Sequence, residues 1–93
     1  MANLELERKY EASNPDALYK QAKILLPELG FEFIKKRPLG WFLLAENKNE
    51  KVQINMSFRF GNPTPAVISI TSDSASEESM QQTADTIFDK LNS

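Results

Sequence analysis

Residues Lys51 to Phe60 alternate without a break. Val52, Ile54, Met56, Phe58 and Phe60 are apolar, and Lys51, Gln53, Asn55, Ser57 and Arg59 are polar or charged. Only an extended strand sends every second side chain to one side, so the pattern predicts a strand with one covered and one open face. Such strands belong to antiparallel sheets packed on one side only. This single run therefore argues for a sheet with helices on one face and nothing required on the other.

The flanking segments extend that sheet. Phe31 to Lys36 is strand-like and leads into Arg37-Pro38-Leu39-Gly40, whose Pro and Gly suit a four-residue β-turn. Trp41 to Glu46 returns, and Asn47-Lys48-Asn49-Glu50 makes the next polar turn. After Phe60, Gly61-Asn62-Pro63-Thr64-Pro65 turns the chain and Ala66 to Thr71 forms another strand. Hairpin-length connections make these four an antiparallel meander. Nearer the N-terminus, Leu4, Leu6 and Tyr10 alternate with Glu5, Glu7, Lys9 and Glu11, a period that argues for a further half-buried strand, while the Glu, Leu, Arg and Lys residues of the segment also favour helix.

Two helices complete the pattern. Asn14-Pro15-Asp16 has an N-cap, a first-turn proline and a carboxylate near the positive helix end. Leu18, Ala22, Leu25, Leu26 and Leu29 follow at helical spacing, and Pro27 is expected to end or kink the helix near Leu26, with Gly30 closing the turn. The last helix is expected to open on a capping box of Ser74 with Glu77. Met80, Ala84, Ile87, Phe88 and Leu91 then form its apolar stripe. The whole chain, residues 1–93, reads as a single α+β domain: strand, helix, four strands, helix, with a five-stranded antiparallel sheet and both helices on one face.

Composition narrows the chemistry. With no His and no Cys, the chain has no disulfide, histidine triad, cysteine nucleophile or Cys/His metal site. No metal site and no cofactor are expected. Thirteen acidic against eleven basic residues give a net charge of −2, without the basic surplus a nucleic-acid binder needs. The longest apolar run, Trp41-Phe42-Leu43-Leu44-Ala45, is far shorter than the ~20 residues of a membrane span. Met1-Ala2-Asn3-Leu4-Glu5 has neither a basic start nor an apolar signal core, so a cytoplasmic protein is expected.

The order of elements resembles that of the TATA-binding-protein-like fold and its helix-grip relatives, over nearly the whole chain. Such folds serve DNA bending, lipid binding and structural roles, so function does not follow from the topology. A minor-groove binder would carry basic residues and apolar wedges on its open face. The open face expected here mixes Glu5, Glu7 and Glu11 with Lys51 and Arg59.

Glu5-Leu6-Glu7-Arg8-Lys9 resembles the ExExK signature of the triphosphate-tunnel enzymes, and that likeness ends by about Lys36. It implies a cation held by Glu5 and Glu7 and an anionic oxygen met by Lys9. The later strands offer only Lys51 and Arg59, too little positive charge for a triphosphate. Lys35-Lys36-Arg37, the one basic cluster, suits an acidic partner or simply a solubilised strand edge. Ser74 and Ser76 could bind an anion at a helix start, yet Asp73, Glu77 and Glu78 already supply negative charge there.

The strand from Trp41 to Ala45 is apolar on both sides, unlike the others. If Phe42 and Leu44 face the helices, Trp41 and Leu43 face out, with Ile34 and Val67 joining according to register; the other reading is that Trp41 folds over a hairpin end or that the sheet curls around these side chains. The leading expectation is a non-catalytic binding module that meets a protein partner, or a second copy of itself, through Trp41, Leu43, Gln53, Asn55 and Arg59. An alternative is a helix-grip pocket for an apolar small molecule, lined by Phe33, Phe42, Met56, Phe58 and Phe88. A second alternative is metal-dependent phosphate chemistry at Glu5, Glu7 and Lys9.

Overall fold

A computed structural model describes residues 2–11 and 13–91; Met1, part of the N-terminal segment read above, lies outside them. The order is β1 (Ala2–Tyr10), α1 (Pro15–Glu28), β2 (Glu32–Arg37), a one-turn 3-10 helix (Pro38–Gly40), β3 (Phe42–Asn47), β4 (Val52–Phe58), β5 (Thr64–Ser72) and α2 (Glu77–Lys90). The five strands form one sheet in the order β1-β5-β4-β3-β2, antiparallel at every pairing. The expected α+β architecture is therefore present.

β1 and β2 are consecutive strands at opposite edges, so α1 carries the chain across the sheet. Four strand spacings amount to ~19 Å. A helix the length of α1 spans ~21 Å, which is enough. Asn14 caps it, its side-chain oxygen accepting from the Ala17 N–H at 2.9 Å. Of the two expected effects of Pro27, an end at Leu26 does not occur: the helix runs on through Pro27 to Glu28. Gly30, at φ +92°, makes the left-handed closing residue; its N–H donates to Pro27 O and that of Phe31 to Leu26 O. This paired closure needs only carbonyls from the last turn, so a proline there is tolerated.

α2 is capped by Ser76, whose hydroxyl accepts from the Ser79 N–H at 3.1 Å, rather than by Ser74. The Ser74 N–H is instead held by the Ser72 side chain, which also accepts from Ala75 N–H and donates to Lys51 O. Ser72 thereby shapes the turn, and the helix starts two residues later than the spacing of Ser74 and Glu77 suggests.

Period two puts the core on the helix side of the sheet. Leu6, Ile68, Met56 and Leu43 lie in one row across four strands, and Leu4, Ile70, Ile54 and Ala45 in the next. Leu18, Ala22 and Leu26 of α1 and Met80, Ala84, Ile87 and Phe88 of α2 close over them. Each large apolar side chain so buried contributes ~1.5–3 kcal/mol. Arg8 ties β1 to α2: its guanidinium is 2.6 Å from Asp89 Oδ1 and lies over the Phe88 ring. The Tyr10 hydroxyl donates to Phe88 O at 2.7 Å. Among the described residues no helix is long and apolar enough to cross a membrane.

Candidate interaction face

β3 begins at Phe42, and its inward residues are Leu43, Ala45 and Asn47, with Phe42, Leu44 and Glu46 on the open side. This corrects the expected assignment: Leu43 is fully buried and takes no part in an open surface. The reason is electrostatic. Glu46 has the parity of Phe42 and Leu44, so turning those two toward the helices would bury a carboxylate. The opposite parity buries Asn47 instead, whose side-chain oxygen accepts from the N–H groups of Asn49 and Glu50.

The turn before β3 agrees with that choice. Instead of a four-residue β-turn, Pro38–Gly40 forms a 3-10 turn, and Trp41 follows in the left-handed region at φ 48°. Trp41 therefore precedes the strand. Its half-buried indole meets Phe60 edge to face, the centroids 4.7 Å apart. The alternation puts Phe60 on the face of Val52 to Phe58, but β4 ends at Phe58 and Phe60 is 80% exposed. There the Arg59 N–H already reaches across to Pro65 O, and the chain has begun to turn. Arg59 and Lys51 thus flank β4 rather than belong to it, both exposed.

Of the five expected contact residues, Gln53 and Asn55 lie in mid-sheet on the open side, lining a shallow cleft with Leu44, Ser69 and Thr71. Trp41 and Arg59 sit at the sheet end. Phe42 and Leu44, not among the expected contact residues, line a cleft of about 440 Å³ with Gly40 and with Lys35 and Arg37 of the basic cluster. Ile34 is the extra residue of a β-bulge in β2 and is 50% exposed.

Following the register, the open side carries three rows. The first is Asn3, Thr71, Gln53, Glu46, Glu32; the second Glu5, Ser69, Asn55, Leu44, Lys35; the third Glu7, Val67, Ser57, Phe42, Arg37. In the second and third rows the β1 edge is acidic and the β2 edge basic. The opposite charges stand ~19 Å apart, too far to pair within one molecule. Among the described residues none of Glu5, Glu7, Lys35 and Arg37 forms an ion pair.

Glu5, Glu7 and Lys9 do share the open side, facing Ser69, Val67 and Pro65. Among the described residues no three acidic side chains converge as metal ligands. On the helix side Met56, Phe58 and Phe88 are buried and Phe33 is a partly buried residue packed against the same core, whereas Phe42 lies on the other face of the sheet. Comparison with known proteins gives neither a matching family model nor a matching curated sequence.

Proposed function

We propose that the chain is a non-catalytic protein-binding module whose contact surface is the open side of the sheet. The observation carrying this reading is the placement of Phe42 and Leu44 on β3, beside the β2 edge, on a side that neither helix covers. An apolar patch bordered by amides and charges has the composition of a protein contact. The mixed charge of the face argues against nucleic acid, whose phosphates call for uniformly basic surfaces.

The test is retention by immobilised protein, from a purified sample of the chain and from an extract of its source cells. A protein held by the wild type, lost with Leu44→Lys and kept with Ile24→Lys is the expected result. Ile24 is an exposed apolar residue on α1, away from the open face. Retention indifferent to Leu44→Lys, or no retention at all, overturns the reading.

A further inference from the structure

The occupant of the open face can be read from its charge pattern. We propose that it is a second copy of this chain, related by a two-fold axis that runs parallel to the strands and passes over β4; this rests on the binding reading above. Such an axis exchanges the edges and keeps the rows. β1 of one copy then overlies β2 of the other, β5 overlies β3, and β4 meets itself.

Each row then finds a chemically suitable counterpart. Glu5 meets Lys35 and Glu7 meets Arg37, and each pairing occurs twice by symmetry. Val67 meets Phe42, an apolar pair, and Ser69 meets Leu44. Asn55 meets Asn55 and Gln53 meets Gln53 on the axis, where an amide is its own complement because it both donates and accepts. In the remaining row Asn3 can donate to Glu32, and Thr71 to Glu46. A self-complementary surface is what a two-fold interface demands. An axis across the strands would stack Glu5 and Glu7 against their own copies, and Lys35 and Arg37 likewise, which is repulsive at both edges.

The size of the face sets the strength. Five strands by about six residues give a footprint of roughly 24 Å by 20 Å. Twice that area falls at the small, transient end of specific interfaces, with charged pairs at its rim. A micromolar dimer that weakens with salt is expected.

Sedimentation velocity over a concentration series, with circular dichroism to verify folding, tests this. The wild type should dimerise, and dissociation should rise several-fold between about 50 mM and 500 mM NaCl. Glu5→Lys with Glu7→Lys, and separately Lys35→Glu with Arg37→Glu, should each be folded monomers, about tenfold or more weaker in self-association. Mixed, the two variants should form a heterodimer. Because the chain lacks cysteine, single introduced cysteines fix the orientation cleanly. Glu7→Cys mixed with Arg37→Cys should cross-link under mild oxidation, and Glu7→Cys alone should not.

A wild type monomeric at high concentration overturns the second copy as occupant while leaving the face to the retention test. A dimer that survives Leu44→Lys overturns the face itself. A dimer lost with Leu44→Lys but indifferent to charge reversal, or cross-linked by Glu7→Cys alone, overturns the orientation.

Discussion

Trp41 occupies a backbone region that costs a bulky residue ~1–2 kcal/mol, and its neighbour Gly40 does not take that conformation in its place. The consequence is a strand starting one residue later, which releases the indole to meet Phe60 at the sheet end. Glu46 exerts the complementary control from the other end of β3, because its carboxylate must stay in water. Tyr10 shows a third residue-level effect. Burial pushes its hydroxyl up to about 12 from the ordinary 10, against the opposing pull of Arg8. The folded state therefore holds this proton more tightly than the unfolded chain. Its contribution is intact below pH 10 and is lost as pH rises toward 12. Denaturant titrations between those limits should show a smaller loss of stability for Tyr10→Phe than for the wild type.

At the scale of elements, β3 makes the sharpest prediction, since adjacent leucines face opposite ways. Leu43→Ala should cost ~2–5 kcal/mol by opening a core cavity. Leu44→Ala should cost less than ~1 kcal/mol, and urea unfolding of the two variants measures the difference. Equal losses would mean that the strand presents both residues alike. The α1 closure is a second case. Gly30→Ala should destabilise by ~1 kcal/mol or more, because φ +92° disfavours a side chain and a Cβ there would lie 3.2 Å from the Asn47 side chain. Ser76→Ala should cost ~1 kcal/mol and Ser74→Ala markedly less, which checks the position of the α2 cap.

For the whole molecule, one layer of helices on one sheet encloses a single connected core from Tyr10 to Leu91. Its cohesion predicts one cooperative unfolding transition. Fluorescence of Trp41, the chain's single tryptophan, and far-ultraviolet circular dichroism should give coincident denaturation midpoints. Separate midpoints would show that the β2–β3 end unfolds on its own. The same single-sided layering puts both helices on one face of the sheet and leaves the other without a covering element among the described residues.

Much of this was legible in the chain itself. The alternation of β4, the Asn14 cap, the stripes of both helices and the hairpin spacing of the strands fix the element order, because period and capping are local physics. The parity of β3 was also written there, in Glu46, but the apolar run from Trp41 to Ala45 hides it, since either face of such a run can enter a core. Other features needed the assembled fold. The left-handed Trp41, the bulge at Ile34 and the shift of the α2 cap to Ser76 arise where one segment accommodates another. The opposition of an acidic β1 edge and a basic β2 edge needed it most. Thirty residues of sequence separate Glu5 from Lys35. Only the pairing of β1 with β5, at the far side of the meander, turns them into the two ends of one row.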